Sequence, residues 1–244
     1  MSAIDSYLNT IACMLHRVLE SQSKAIAQAA REVATRIANG GLLYTFGTGH
    51  AHLLAEEMFY RAGGLASVYP VLEGPLMLHL SAARSSNLER QEGYAARLLE
   101  NYQLTSKDVL LVISNSGRNA VPVDMAMLAR QRGVFVIGLT SLAHSQSAVP
   151  RNQAGKRLFE VCDLVIDNLG VEGDAVLDFG DGQRIGASST VMGAAILQSM
   201  TCQVKQISLE EGLSIDFFQS SNVDGGDAVN NVLIEKYHSK VHCL

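Results

Sequence analysis

Cysteine is sparse in this sequence, and its spacing excludes the sites that cysteine most often builds. The cysteines form no CxxC pair, so neither a zinc site nor a disulfide framework is indicated. They are Cys13, Cys162, Cys202 and Cys243. His238 and His242 have a spacing compatible with a metal pair, but no third ligand is close in the sequence. We therefore expect a reduced cytoplasmic protein with no metal and no cofactor.

Positive charge is also in short supply, which limits the classes of partner. The 244 residues include 19 lysines and arginines against 24 acidic residues, a net charge of −5, and no basic stripe. A nucleic-acid-binding protein needs a basic face to neutralise phosphates. No apolar run approaches the roughly 20 residues that span a bilayer, and the N-terminus lacks the features of a signal peptide. We expect neither nucleic acid nor a membrane as partner.

What the sequence does contain is an alternation of strands and helices. Five short stretches are nearly all apolar, which is typical of strands buried on both faces. They are residues 42–46, 66–74, 108–114, 134–140 and 162–168. Helical spacing lies between most of them, so the pattern predicts an α/β fold, a three-layer αβα sandwich around a parallel five-stranded sheet. Pro70 suggests that the second strand lies at an edge or is irregular.

Helices are predicted at both ends of the chain. Apolar residues recur at helical intervals from residue 3 to 38, and Asn39-Gly40-Gly41 supplies the stop. Further helices are predicted at 51–64, at 75–103 with a break near 85–87, at 120–132, 187–206, 209–219 and 227–241. No linker or repeat is visible, so we expect one domain over residues 1–244. Residues 1–38 form its N-terminal helical extension, and residues from about 206 to 244 its C-terminal one.

Two polar loops follow buried strands, and each leads into a helix. They are "GTGHAH" (47–52) and "SNSGRN" (114–119). Ligands of open parallel sheets bind where such loops gather, and a helix N-terminus favours an anion. Together the loops predict a phosphate cradle built from Gly47, Thr48, Gly49, Ser114, Asn115, Ser116, Gly117 and Asn119. In the plainer alternative, Gly117 shapes a turn, and a serine or Asn119 caps the helix.

A dinucleotide site is the rival interpretation of the first loop. "GTGHAH" has two glycines of the GxGxxG pattern, and Glu73 stands where an acid would hold a ribose hydroxyl. His52, however, occupies the third position, where close packing requires glycine or alanine. The rival also leaves "SNSGRN" unexplained, so we rank it below the phosphate cradle.

The paired loops resemble those of the SIS (sugar isomerase) phosphosugar-binding domain, over roughly residues 30–205. The stretches "FGTGHAHLLAEEMFYRAGG", "SNSGRNAVPVD", "GKRLFEVCDLVIDN" and "SSNVDGGD" are similar, nearly end to end, to a little-characterised bacterial family of stand-alone SIS proteins. The resemblance implies that Ser114, Ser116 and Asn119 hold the phosphate of a sugar phosphate. Ala51 stands where the SIS pattern GxGxS has serine, which removes one hydrogen bond worth about 0.5–1.5 kcal/mol.

The same resemblance implies aldose–ketose isomerisation through an enediol(ate), which needs a base and often an acid that opens the sugar ring. Glu73, after the second strand, is the first candidate for the base, and Glu57 is the second. Glu57 could instead only pair with Arg61, four residues on. His50 and His79 are the candidate acids. Two alternatives stay open, a phosphosugar sensor without activity and a phosphosugar lyase or deaminase, and the resemblance also implies a homo-oligomer.

Overall fold

The computed structural model describes residues 2–244, and a parallel five-stranded sheet forms its centre. The strands are β1 (Leu43–Gly47), β2 (Val68–Val71), β3 (Val109–Ile113), β4 (Phe135–Thr140) and β5 (Leu164–Asp167). Their order is β2-β1-β3-β4-β5, and every neighbouring pair is parallel. The predicted α/β fold is confirmed. Pro70 lies in the edge strand β2, where its missing N–H costs no ladder bond on the outer side.

Eight α-helices accompany the sheet among the described residues. They are α1 (Ala3–Ala38), α2 (Ala51–Glu57), α3 (Ala82–Leu88), α4 (Tyr94–Leu99), α5 (Ala120–Gln131), α6 (Leu142–Ser147), α7 (Ser189–Glu211) and α8 (Gly226–Tyr237). Successive side chains of β3 point to opposite faces of the sheet. Val109 and Leu111 enter a core with α1, α2 and α7, whereas Leu110 and Val112 enter a core with α4, α5 and α8. The molecule therefore has three layers.

The long N-terminal helix, α1, is confirmed and is held at both ends by local contacts. The Ser2 side chain accepts a hydrogen bond from the Asp5 N–H, and the Asp5 carboxylate accepts from the Ser2 N–H, which forms a capping box. The helix ends at Ala38 with Asn39 as its C-cap, and Gly40 follows with φ +84°. Its buried stripe packs mainly along α7 and the first core. Burial of this stripe explains how a 36-residue helix is fixed to the sheet.

Several predicted helices have other bounds in the structure. Helix α7 runs through residue 206 and ends at Glu211, because Gly212 adopts φ +65°; residues 212–219 are not helical, so the predicted helix at 209–219 is wrong. Residues 85–87 lie inside α3, where a break was predicted. Helix α2 ends at Glu57 rather than at residue 64. An antiparallel hairpin, β6 (Ala175–Asp178) and β7 (Arg184–Ala187), was not predicted at all.

The connections after β1 and β3 leave the sheet in opposite directions. These two strands are hydrogen-bonded neighbours, with Gly47 opposite Ile113. Helix α2 follows β1 into the first core, and helix α5 follows β3 into the second. In open α/β sheets such a reversal opens a crevice at the carboxyl ends of the two strands. Both predicted phosphate loops lie at this point.

Candidate functional site

A cavity of about 320 Å³ lies at the carboxyl edge of the sheet, over the crevice between β1 and β3. Its walls come from the ends of four strands and from the first turns of α2 and α7. The polar residues among its lining are Thr48, His50, Ser85, Ser86, Glu89, Ser114, Asn115, Ser116, Asn119, His144, Asn168, Asp174, Ser189 and Thr190. The lining includes no lysine or arginine, so any anion here is held by neutral donors and helix N-termini.

The loop after β1 lines the cavity with residues 48–51, and one of its side chains is held by an acid. Thr48, Gly49, His50 and Ala51 all line the cavity. A side chain at Gly47 is excluded, because its Cβ would lie 2.4 Å from the carbonyl oxygen of Ala51. The Thr48 hydroxyl donates to Glu89 Oε1 at 2.8 Å. This bond joins the β1 loop to the end of α3.

The loop after β3 is shaped by Ser114 and Gly117. The Ser114 hydroxyl oxygen accepts a hydrogen bond from the Gly117 N–H at 3.2 Å. Gly117 has φ +57°, and a Cβ there would lie 3.0 Å from Ser145 Oγ and 3.1 Å from Leu158 Cβ. Only glycine fits this conformation and this space. Part of the plainer interpretation is therefore right, since Gly117 does shape the turn.

Asn115 is committed to the structure of the site. Its carbonyl oxygen accepts bonds from the Thr140 hydroxyl and the Ser141 N–H, each at 3.1 Å. Its side-chain oxygen accepts from the amide of Asn168 at 2.9 Å, and Asn168 Oδ1 in turn accepts from the Gly170 N–H at 2.8 Å. These bonds connect the loops that follow β3, β4 and β5. Asn115 thus fixes the cavity floor through its backbone and side-chain oxygens.

Besides Arg118, two side chains of the β3 loop have no partner within residues 2–244. The Ser116 hydroxyl lines the cavity and makes no hydrogen bond there. Asn119 is 8% exposed, precedes the first residue of α5 without forming a side-chain cap, and has a buried Oδ1 that lacks a partner. The alternative in which Asn119 caps the helix is therefore wrong. Buried polar groups are nearly always satisfied, so the Asn119 oxygen points to a ligand, and the half-buried Ser116 hydroxyl is open to the same cavity.

Two carboxylates of the cavity were missed from the sequence. Glu89 is half-buried at the end of α3, and its backbone oxygen accepts from the Val121 N–H at 3.0 Å. Asp174 precedes the hairpin, and its carboxylate accepts bonds from the N–H and hydroxyl groups of Ser188 and Ser189. Neither residue belongs to a recognisable motif, and the contacts between distant segments that place them leave no local signal in the sequence.

The acids predicted from the sequence lie outside the cavity. Glu73 accepts a hydrogen bond from the Tyr94 hydroxyl at 2.7 Å. Burial and this bond raise the pKa of Tyr94 to about 12, so the phenol keeps its proton at neutral pH. Glu57 bonds Arg61 at 3.0 Å and the amide of Gln198 at 3.0 Å. Neither carboxylate lines the cavity, so the geometry gives no support to Glu73 or Glu57 as the base of the isomerisation.

The histidines divide in the same way. His50 is exposed and borders the cavity, and His144 borders it from α6. The Nδ1 atom of His144 is buried and has no hydrogen-bond partner among the described residues. His79 is exposed and does not line the cavity. Two imidazoles and two carboxylates therefore surround the space beside the phosphate loops.

Residues 2–244 contain neither a cluster of metal-ligating side chains nor a membrane-spanning helix. No three histidine, cysteine or acidic side chains stand close enough together to hold a metal ion. Within the same residues, none of the helices combines the length and apolar character that crossing a bilayer requires.

Comparison with known sequences gives matches along the chain. A family model described as "SIS domain" matches residues 6–141, starting before and ending earlier than the region of resemblance that we expected. The chain is 47% identical over 242 residues to a UPF0309 protein of Halalkalibacterium halodurans, covering 99% of this chain and 97% of that protein. A UPF0309 protein of Oceanobacillus iheyensis is 41% identical over 246 residues, with both chains fully covered.

Comparison with solved structures finds the same fold at low identity. Phosphoheptose isomerase of Neisseria gonorrhoeae matches with a TM-score of 0.56 and 15% identity, covering 83% of this chain and 97% of that one. The sugar isomerase domain of an RpiR transcription factor from Sphaerobacter thermophilus matches with a TM-score of 0.51 and 13% identity, covering 98% and 99%. At these identities the likeness is one of fold.

Proposed function

The chain belongs to the SIS domain family, and from that premise we propose that it binds a sugar phosphate in the cavity between the loops after β1 and β3. One observation carries the proposal: Ser116 and Asn119 border this cavity with polar groups that no described residue satisfies. The phosphate binds at the β3 loop, beside the first turn of α5, where the helix dipole favours an anion. A phosphoheptose isomerase among the fold neighbours agrees with this ligand class.

The reaction that we propose is aldose–ketose isomerisation. Glu89 takes the proton from the carbon beside the carbonyl group, which leaves an enediol(ate), and returns it to the neighbouring carbon. The Thr48 hydroxyl, which donates to Glu89 Oε1, holds the carboxylate in place. His144 or His50 gives a proton to the ring oxygen and opens the sugar. Glu89 takes the place of Glu73 and Glu57 in this proposal because it borders the cavity.

A sensor without activity is the second candidate function. Ala51, in place of the serine of the GxGxS pattern, favours it by removing one donor to the phosphate. A fold neighbour is the sugar isomerase domain of a transcription factor. A lyase or deaminase would start with the same proton abstraction, so the products must distinguish these reactions.

The binding step is tested by thermal unfolding with sugar phosphates, their unphosphorylated parents, NAD and NADP. A ligand at 100 times its dissociation constant adds about 2.7 kcal/mol to the free energy of unfolding. We expect stabilisation by phosphorylated sugars only, reduced in Ser116→Ala. The matched control is Ser199→Ala, because Ser199 is an exposed hydroxyl on α7 that bonds only the Ala195 carbonyl of its own helix. Stabilisation by dinucleotides alone would overturn the proposal.

The reaction is tested by incubating each stabilising ligand in D2O and following it by NMR. An isomerase places deuterium on the carbon next to the carbonyl and forms the ketose from the aldose. A lyase yields two fragments, and a deaminase releases ammonia. Binding without deuterium uptake identifies the sensor.

We also propose a homo-oligomer and a cytoplasmic location. Exposed apolar side chains follow one stripe of α1, namely Ile4, Leu8, Leu15 and Leu19. A stripe of this kind favours a second copy as its cover. Four free cysteines, three of them exposed, suit a reducing compartment. Sedimentation equilibrium would contradict the oligomer if it returned the 26.2 kDa of one chain.

A further inference from the structure

Three arginines from separate segments converge beside the β3 loop. Arg118 belongs to this loop, and its carbonyl oxygen accepts from the Arg151 N–H at 2.7 Å. Arg90 follows Glu89, whose backbone oxygen accepts from Val121 at the start of α5. Arg90 and Arg118 are thus direct neighbours in sequence of the cavity residues Glu89 and Asn119.

None of these guanidinium groups has an acidic partner among the described residues. Ion pairs elsewhere on the surface join arginines to acids, as Arg130 to Asp163 at 2.9 Å, but no carboxylate lies within 4.0 Å of Arg90, Arg118 or Arg151. Glu92, an acid of the same region, instead accepts from the Gln153 N–H at 2.9 Å. The cluster therefore carries uncompensated positive charge.

Arg118 is the most constrained of the three. Its Nε is buried and finds no hydrogen-bond partner. Burial lowers the pKa of Arg118, and the charges of Arg151 and Arg90 lower it further, so each of these two charges is close enough to repel that of Arg118. A protein whose net charge is −5 has acids available to pair with these arginines. Arg90 and Arg151 are exposed and Arg118 is half-buried, so an anion at the cluster would meet like charges and one buried N–H that has no partner.

We propose that Arg90, Arg118 and Arg151 bind a second anionic group, a phosphate or a carboxylate, next to the sugar-phosphate cavity. Guanidinium groups match both anions, because their forked N–H groups bond two oxygens at once. The proposal rests on the proposed function and deepens it. The ligand is then a sugar that carries two anionic groups, a bisphosphate or an acidic sugar phosphate.

The test compares sugars that differ by one anionic group. Titration calorimetry measures fructose 1,6-bisphosphate against fructose 6-phosphate, and 6-phosphogluconate against glucose 6-phosphate. We expect the ligand with two anionic groups to bind about tenfold more tightly or better, as two charge-assisted bonds imply. The double variant Arg118→Gln/Arg151→Gln should lose this difference while its affinity for the monophosphates stays within about twofold. Arg17→Gln is the matched control, an exposed arginine on α1 whose side chain has no partner within residues 2–244.

A second measurement, of melting temperature, keeps the test valid if the double variant folds less stably than the wild type. Without any anion, Arg118→Gln should raise the melting temperature, because it removes a positive charge that Arg151 and Arg90 repel and a buried Nε that has no hydrogen-bond partner. Inorganic phosphate should raise the melting temperature of the wild type, but not that of the double variant. Two results together would overturn the cluster as an anion site. The first is that Arg118→Gln, without anion, melts at the same temperature as the wild type or lower. The second is that inorganic phosphate does not change the melting temperature of the wild type.

The outcomes separate the source of the anion from the failure of either proposal. If inorganic phosphate and a sugar monophosphate bind together, and the double variant loses only the first, the site takes a separate ion, and a second group on the sugar is overturned. Equal affinity for one and two anionic groups, unchanged in the double variant, overturns the proposal. If no sugar phosphate binds but inorganic phosphate still distinguishes the variant, the proposed function fails, and the arginine cluster still binds an anion.

Discussion

Glu89 is the residue on which the proposed reaction depends. If it moves the proton, Glu89→Gln should slow deuterium uptake and isomerisation by about 10²–10⁴-fold, the usual contribution of a general base. Affinity for the ligand should change little, because the glutamine still fills the end of α3 and can accept from the Thr48 hydroxyl. The measurements are NMR exchange in D2O and calorimetric titration of the same preparation.

Glu73→Gln is the control that decides whether Glu73, the candidate from the sequence, or Glu89, the candidate from the geometry, is the base. Glu73 was the first candidate for the base from the sequence, and in the structure its carboxylate accepts a hydrogen bond from the Tyr94 hydroxyl. We expect this variant to keep its rate within about threefold, the effect of one remote hydrogen bond. An inactive Glu73→Gln beside an active Glu89→Gln would reverse the assignment.

At the scale of single residues, glycines and hydroxyls were predictable and acids were not. Gly117, Ser114 and Ser116 follow a strand in a fixed pattern, so local sequence alone assigns them to the loop. The position of Glu89 depends on how α3 packs, which the sequence expresses only through contacts with distant segments. Glu73 follows a strand as a base should, yet its side chain turns to a neighbouring helix.

At the scale of elements, the start of α7 depends on Asp174. This carboxylate accepts from the Ser188 N–H at 3.0 Å and from the Ser189 N–H at 2.7 Å, where the helix dipole also favours a negative charge. Its backbone has φ +68°. Asp174→Gly, which keeps that conformation, should lower the free energy of unfolding by about 1–3 kcal/mol. Asp174→Ala should cost about 1 kcal/mol more, and urea unfolding measures both.

The order of stability between these two variants is the informative result. If Asp174→Ala is as stable as Asp174→Gly, the backbone conformation is no constraint, and only the carboxylate matters. If both match the wild type, the bonds to Ser188 and Ser189 contribute nothing to α7.

Buried elements were easier to predict than exposed ones. The five sheet strands are continuous apolar runs, and burial on both faces imposes that pattern. The hairpin of β6 and β7 is largely exposed and contains several glycines, so its strands carry no apolar periodicity. Residues 209–219 contain apolar side chains at helical intervals, but Gly212 in the left-handed conformation ends the helix first.

At the scale of the whole molecule, the cavity exists only because the chain returns to one edge of the sheet. The order β2-β1-β3-β4-β5 brings residues 48–51, 113–116, 119, 168 and 189–190 to a single space. The parallel strands and the pair of polar loops predicted, from the sequence, that a ligand binds at that edge. The approach of α3 and the entry of α7 depend on packing between the two cores, which no local pattern encodes.

The stability of the whole molecule should depend on pH through His52. This side chain is 1% exposed; burial lowers its pKa below the ordinary 6.5, Glu56 partly opposes the shift, and His79 adds to it. Below pH 6.5 the unfolded chain takes a proton at this histidine and the folded chain does not, so the folded state loses stability as the pH falls. The loss is at most about 1.4 kcal/mol per pH unit until the folded-state pKa is reached.

His52→Leu removes the group that binds this proton and places an apolar side chain in the core. Urea unfolding of both proteins between pH 5 and 8 gives the difference in their free energies of unfolding. That difference should be constant above about pH 7 and should change in favour of the variant below about pH 6.5, the reference pKa of histidine. A flat difference over the whole range would mean that His52 binds a proton equally in the folded and unfolded chains, so burial would not set its pKa.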